Sequence, residues 1–544
     1  MNRSVVIYDT TLRDGTQREG ISLTVSDKLR ISERLDELGV GFIEGGWPGS
    51  NPKDAEFFVR AREQQWKNAT LTAFGSTRRA GIAAADDPNM RALVESGTSV
   101  CTLFGKSSPL QVTEVLRTRL DENLRMIEDS VAYLTSQGRR VVYDAEHFFD
   151  GYEADAAYAV ETLLAAGRGG AEVLVLCDTN GGGLPWRVEE VVRDVLARVE
   201  HPLGIHAHND TGCAVANSLA AVRGGARHVQ GTINGIGERC GNANLCAIVP
   251  DLELKLGMQC VPEGRLAELG ELSRFVTEVA NLTPDEHMPY VGRSAFAHKG
   301  GVHVAAMRRH PDAYQHIDPV LVGNNMRVVV SELSGRGNVL SKAEELGVSV
   351  SAGDEVEALA AIKQSEARGF SYEAAEASVA LLLKRRAPDY RPLFNVLDYN
   401  VMVGRRRGSD NYAEAVVKVE VGDQVMLMAA EGNGPVSALD AALRKALAPF
   451  YPAVQRIHLA DYKVRILDGS FGTSSTTRVL IDSRDDHSSW STVGASANII
   501  EASFLALVDS IEHGLAESGA RAPDVAPGSS TSPRHDAARE AARA

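Results

Sequence analysis

Through roughly the first half of the chain, short apolar runs rich in Val, Ile and Leu alternate with longer stretches whose apolar positions recur every three or four residues. Eight of the runs read as strands: Val5–Tyr8, Gly41–Glu44, Thr70–Phe74, Val100–Phe104, Arg140–Tyr143, Val173–Leu176, Leu203–His206 and His228–Thr232. Amphipathic segments such as Ser26–Leu38, Leu120–Leu134 and Val188–Val199 lie between them. Eight βα units in about 250 residues predict an α/β fold, a closed (β/α)8 TIM barrel spanning residues 1–270. A doubly wound open sheet is the alternative, but no G-x-G-x-x-G follows the first strand, as a dinucleotide fold would want.

Past Gly264 the strand-like runs disappear, and helical patterns broken by loops predict a helical linker subdomain over residues 271–391. Pro392 cannot continue a helix, and strand patterns return after it. Tyr412–Val421, Gln424–Ala430, Tyr462–Leu467 and Thr477–Asp482 read as strands, with helices at Val436–Leu447 and Ala497–Gly514. That pattern predicts a small α/β domain over residues 392–516. Residues 517–544, rich in Ala, Gly, Ser, Pro and Arg, read as a disordered tail. Several domains are expected on length alone, since 544 residues exceed what one core organises.

A formal net charge of −15 argues against a nucleic-acid or acidic-membrane surface, both of which need clustered Lys and Arg. It leaves room for a small anionic ligand in a locally positive pocket. The six cysteines form no C-x-x-C pair and read as free thiols, several of them buried. The chain enters a strand-like run by Val5, leaving no room for a signal peptide, and no stretch approaches a membrane span. A cytoplasmic protein is expected.

In an eight-stranded parallel barrel the C-terminal strand ends face one mouth, where active sites are built. Here the first strand ends in Asp9-Thr-Thr-Leu-Arg13-Asp14-Gly-Thr-Gln17 and the second in Glu44. The fifth ends in Asp144-Ala-Glu146, the sixth in Asp178-Thr179-Asn180, the seventh in His206-Ala-His208-Asn-Asp and the eighth in Asn234-Gly-Ile-Gly-Glu-Arg-Cys-Gly-Asn242. Six polar strand ends out of eight, above apolar strand bodies, call for a function.

His206 and His208, two apart on a strand, point to the same face and can share one metal ion. Asp14 can add an oxygen ligand across the mouth and Asn242 a fourth, a mixed set suited to Zn2+, Mn2+ or Mg2+. Arg13 either forms a salt bridge with Glu44 or Asp178, or stands by an oxygen that gains negative charge. Glu146 is either a partner of a metal-bound histidine or a carboxylate base for an acyl-CoA methyl group. Thr179 either caps a turn or donates to a substrate carboxylate.

Thr-Thr-Leu-Arg13-Asp14-Gly-Thr-Gln17-Arg-Glu-Gly resembles the signature of the metal-dependent barrel family that includes the isopropylmalate, homocitrate and citramalate synthases and the hydroxymethylglutaryl-CoA lyases. His206-Ala-His208-Asn-Asp and Gly237-Glu-Arg-Cys-Gly-Asn242 match its other motifs. The runs around Glu44, Glu146 and His298-Lys-Gly-Gly-Val-His303 are most similar to the citramalate synthase branch, and the resemblance covers about residues 4–515. It implies Asp14, His206, His208 and Asn242 as metal ligands, Arg13, Gln17, Glu44, Asp144 and Thr179 at the keto acid, and Glu146 as an acid/base group on the acetyl-CoA side. His303 is implied as the catalytic histidine that the linker brings to a barrel, in such dimers the neighbouring subunit's. The C-terminal runs Gly432-Asn-Gly434-Pro-Val-Ser-Ala-Leu-Asp440 and Trp490-Ser-Thr-Val-Gly494-Ala-Ser-Ala-Asn498 resemble an effector-binding dimer domain, although spacing alone favours plain turn glycines.

The activity implied is a Claisen-type condensation of acetyl-CoA with an α-keto acid, pyruvate first. The partners implied are a divalent metal, a second copy in a homodimer, and isoleucine as effector. A 2-oxoisovalerate or homocitrate-type acceptor is the nearest alternative, although isopropylmalate synthases usually read H-x-S-G-x-H-x-D where this chain has His303-Val-Ala. The lyase direction and a non-catalytic amino-acid sensor are further alternatives. The C-terminal domain argues against the first, and the full set of polar strand ends against the second.

Overall fold

The computed structural model describes residues 4–348, 353–387, 390–405 and 411–523. They fall into two compact units, residues 4–296 with 316–326, and residues 297–315 with 327–523. The segment expected as a linker, 271–391, is divided between the two units. Most of the expected tail, residues 524–544, lies outside the described residues.

The first unit is a closed barrel of eight parallel strands in sequence order. They are β1 (Val6–Asp9), β2 (Phe42–Gly46), β3 (Thr70–Ser76), β4 (Val100–Lys106), β5 (Arg140–Glu146), β6 (Val173–Asp178), β7 (Leu203–Ala207) and β8 (His228–Gly231). β8 closes on β1 with Tyr8 beside Gln230 and Asp9 beside Gly231. The intervening helices start where local chemistry supplies the missing partners. Thr24 and Asp27 form a capping box at Val25–Leu38, and Asp87 accepts from the first turn of Pro88–Glu95.

Alternation along the strands divides the barrel. Val141, Tyr143 and Ala145 of β5 point outward and join the large core shared with the helices, as do Leu174, Leu176 and Ile205. The opposite face holds a small apolar plug of Val100, Val142, Val175 and Cys177 with Phe42 and Val173. Further toward the C-terminal ends the same face turns polar, with Glu44, Thr72, Thr102, Asp144, His206 and Gln230 all buried. A buried polar layer of this size survives only if its members satisfy one another.

The second unit opens with the short parallel pair β9 (Ala297–His298) and β10 (Arg327–Val328), then the helices Arg336–Glu345, Asp354–Ala367 and Glu376–Lys384. Two repeats of three antiparallel strands and a helix follow. The first is β11 (Asn395–Arg405), β12 (Asn411–Val421), β13 (Gln424–Gly432) and helix Pro435–Leu447. The second is β14 (His458–Ile466), β15 (Thr477–Arg484), β16 (Ser489–Ser496) and helix Ile499–Glu517. The inward faces of both sheets and both helices share one core, with Val417, Val419, Leu439, Leu443, Val479, Ile481, Leu507 and Ile511 at its centre.

Of the cysteines, Cys101, Cys177 and Cys246 are buried, Cys213 and Cys260 partly buried and Cys240 exposed, all as free thiols. Among the described residues no helix is long and apolar enough to cross a membrane.

Candidate active site at the barrel mouth

After β1 the chain turns sharply. The backbone N–H groups of Arg13, Asp14 and Gly15 all point at Thr10 O, at 3.2, 2.9 and 3.1 Å. Asp9 fixes the turn by accepting from the Thr11 N–H and hydroxyl at 2.9 and 2.8 Å. The turn folds Arg13 and Asp14 back over the mouth.

There Asp14 Oδ2 lies 3.2 Å from His206 Nε2 and 3.8 Å from His208 Nε2. The two imidazole Nε2 atoms are 3.3 Å apart. Asn242, held against His208 by an isolated backbone bridge, donates from Nδ2 to Asp14 Oδ2 at 2.7 Å. The donor atoms of Asp14, His206 and His208 all lie within 4.8 Å of one another, and all three residues are buried.

Asp14 and His208 are held in the charge states that cation binding needs. Burial works against the Asp14 carboxylate, yet the Arg13 guanidinium and His206 hold it well below the usual carboxylate range. Burial, followed by repulsion from His206, pushes His208 down to about 4, so it is neutral at pH 7. Burial also opposes charge on His206, but the Asp14 carboxylate outweighs it and raises that group.

An ion fits this cradle on two structural grounds. The buried Asn242 Oδ1 has no hydrogen-bond partner, which is costly unless another ligand takes it. A Cβ at Gly237 would come within 1.9 Å of that same oxygen, so only glycine leaves room for it there. Four nitrogen and oxygen donors with space for more suit a divalent ion that keeps open positions.

Of the two carboxylates its sequence offers, Arg13 pairs with Glu44. Its Nε donates to Glu44 Oε1 at 2.6 Å, its guanidinium carbon lies 3.8 Å over the Phe74 ring, and Nη1 is 3.5 Å from Asp14. Glu44 is fixed in turn by Tyr8, whose hydroxyl donates to Oε2 at 2.7 Å and meets Thr72 and Thr102 at 2.8 and 2.6 Å. Asp178 instead accepts from the Gly182 and Gly183 N–H groups and so shapes the loop after β6.

The other predicted residues spread around the mouth. Glu146, at the end of β5, pairs with Lys106 at the end of β4. Thr179 accepts from the His147 N–H at 2.8 Å, which ties the loop after β6 to the end of β5. Asp144 accepts from Gln230 Nε2 at 2.9 Å, and burial followed by the nearby Glu44 charge pushes its carboxyl up to about 7. Gln17 is exposed on the short turn Gly15–Gln17. Lys106, Tyr8 and Gln230 were not anticipated from the sequence. Tyr8 and Gln230 sit inside strand bodies, where a single polar residue in an apolar run gives no signal until the barrel closes around it, and Lys106 ends β4 two residues beyond the expected strand.

His303 belongs to the second unit, where it is exposed on the helix Gly301–Met307 with its ring stacked on Tyr314 at 4.2 Å. The four C-terminal residues singled out by resemblance each have a local structural role. Gly434 precedes the helix Pro435–Leu447, and Asp440 pairs with Arg444 at 2.8 Å. Asn498 caps the final helix through Ile500 N at 2.9 Å. Gly494 allows that helix to approach β16, since a Cβ there would lie 2.0 Å from Ala502 O.

The HMGL-like family matches residues 4–276, the homocitrate synthase post-HMGL domain-like family residues 290–369, and the LeuA allosteric (dimerisation) domain residues 373–515. An (R)-citramalate synthase from Geobacter sulfurreducens is 53% identical over 517 residues, which cover 94% of this chain and 98% of that protein. One from Synechocystis sp. is 54% identical over 526 residues, covering 94% and 96%. A probable 2-isopropylmalate synthase from Methanosarcina acetivorans is 30% identical over 514 residues, covering 94% and 95%. An HMGL-like barrel joined to a LeuA dimerisation domain, at about half identity over nearly its whole length, places the chain in the (R)-citramalate synthase family.

Proposed function

We propose that the protein condenses acetyl-CoA with pyruvate and releases (R)-citramalate and CoA. The observation that carries the choice of acceptor is the step from 53–54% identity with two citramalate synthases to 30% with the isopropylmalate synthase, over the same length. The mouth supports the reaction type. A divalent ion held by Asp14, His206, His208 and Asn242 would polarise the α-keto acid as a Lewis acid, and Zn2+, Mn2+ and Mg2+ all suit that donor set.

The chain's own groups do the rest. Arg13 places a fixed positive charge where the ketone oxygen becomes an alkoxide, and Glu44, braced by Tyr8, keeps the guanidinium from swinging away. Glu146 takes a proton from the acetyl-CoA methyl, with Lys106 holding its carboxylate in place. The enolate carbon attacks C2 of pyruvate, and water then cleaves the thioester to release CoA. Thr179 and Asp144 orient the keto acid, with Gln17 at the rim, and His303 keeps a catalytic part as the resemblance implies. Quantifying both products tests this directly: one (R)-citramalate per CoA released is expected, and CoA release without citramalate would sink the proposal.

In the same reading, residues 1–270 are the catalytic barrel, 271–391 a linker and 392–516 a domain that dimerises and binds isoleucine, in a cytoplasmic enzyme. Gly434, Asp440, Gly494 and Asn498 then border the effector. Coupling between effector and active site is typically about 1–3 kcal/mol. Calorimetry should show isoleucine binding, together with inhibition of turnover. No heat and no inhibition with isoleucine, leucine or valine would leave the domain a dimerisation device.

A further inference from the structure

His303 stands on a helix of seven residues, Gly301–Met307, which is too short to hold itself and takes its place from packing. One side of it is buried through Val304 and Met307. Val304 faces the helix Arg336–Glu345, where a Cβ at Gly337 would meet its Cγ1 at 3.8 Å, and Ser341 Oγ accepts from Arg308 at 2.8 Å. The two helices start almost in contact, since a Cβ at Gly301 would lie 2.7 Å from Gly335 N.

Wholly buried at that junction is Asn338. Its Nδ2 donates to Lys299 O and to Val329 O, both at 3.0 Å, and its Oδ1 accepts from the Gly335 N–H at 3.1 Å. Carbonyls only accept and an N–H only donates, so one orientation of the amide serves all three. Lys299 lies between β9 and the His303 helix, Val329 just past β10, and Gly335 just before the helix that carries Asn338. We propose that Asn338 is a positioning residue that seats the His303 helix and so fixes where that imidazole is presented.

A helix cap needs only the oxygen of this side chain. Here both N–H groups go to segments outside the helix, and one of those segments leads directly into His303. An aspartate would keep the cap and set a carboxylate against two carbonyl oxygens. A leucine would fill the space and hold neither segment. The other side of the same helix, Val339 and Ala343, lies in one core with Ile362, Tyr372, Val379 and Val493 of β16. The seat is thus part of the packed body of the second unit.

This inference rests on the reading of His303 as a catalytic group, but its first test does not need that reading. Amide hydrogen exchange of the full-length enzyme should be about tenfold faster over residues 297–307 in Asn338→Ala. It should be unchanged in β12, whose side chains lie in a different core. Gly301→Ala, which pushes the helix off the same seat while keeping Asn338, should speed the same residues, and decides the matter if Asn338→Ala does not fold. Unchanged exchange over 297–307 overturns the proposal. Equal acceleration in β12 does so too, since that would be general loosening. The second test is a kinetic cycle. Asn338→Ala should lower kcat about tenfold or more with KM for pyruvate unchanged, because misplacing a group by about 1 Å can cost on the order of 10²-fold. In a His303→Ala background the same change should cost less than about twofold. With His303→Ala impaired, no loss of kcat in Asn338→Ala, or an undiminished second loss, also overturns it. Full activity in His303→Ala would remove the catalytic reading of His303 alone, because the seat is read by exchange.

Discussion

His208→Ala is expected to leave a folded protein with no bound divalent metal and turnover reduced by about 10³-fold or more, the loss of roughly 4 kcal/mol of transition-state stabilisation. The fold should persist because His208 lies at the end of β7, at the mouth rather than within the apolar plug or the outer core, and its neutral ring carries no ion pair that folding requires. His206→Ala should behave likewise in activity, with a larger cost in stability because Gln230 Oε1, 2.9 Å from His206 Nδ1, then loses its partner in a buried layer. Elemental analysis after dialysis separates the outcomes. Metal retained at the level of the unaltered enzyme would contradict the assignment even if turnover fell.

Arg13→Lys is the second large effect and should differ in kind. Metal content should stay as in the unaltered enzyme, while kcat falls about 10²–10³-fold, the range seen when one preorganised oxyanion donor is removed. Lysine keeps the charge that buried Glu44 needs, so the protein should fold. It cannot at once bond Glu44 with a fixed fork and lie flat on Phe74 at 3.8 Å, so the charge is no longer held at one point. Arg13→Gln is a poorer probe, because it leaves Glu44, fully buried, without a counter-ion, and breaking such a pair costs about 3–5 kcal/mol. Metal lost together with activity in Arg13→Lys would show that Arg13 and the cradle do not act separately.

The barrel was legible because its strands, buried on both faces, are apolar over most of their length, and six of the eight end in a polar cluster. All eight strands fall where the pattern predicts them, most running on to the residues that carry chemistry, as in β5 to Glu146 and β6 to Asp178. The pair His206 and His208 was legible for the same geometric reason, a period of two on a strand end.

What escaped the sequence was what only closure creates. Tyr8, Thr72 and Thr102 come from three strands, and Gln230 and Asp144 from strands that meet across the interior. No spacing along the chain records that they touch. In the second unit, β11 and β16 were missed for different reasons. β11 carries a bulge between Val396 and Asp398 that breaks its alternation. β16, Ser-Trp-Ser-Thr-Val-Gly-Ala-Ser, is made mostly of small residues apart from Trp490, and the final helix lies close against it at Gly494. A Cβ at Gly494 would lie 2.0 Å from Ala502 O, so glycine there permits that approach.

The central claim is the identity of the acceptor, and one measurement addresses it most directly: kcat/KM for CoA release from acetyl-CoA with pyruvate, 2-oxobutyrate, 2-oxoisovalerate and 2-oxoglutarate in turn. The account predicts pyruvate as the best acceptor, ahead of 2-oxoisovalerate by about tenfold or more, which corresponds to ~1.4 kcal/mol in the transition state. A kcat/KM for 2-oxoisovalerate or 2-oxoglutarate about tenfold above that for pyruvate would contradict it.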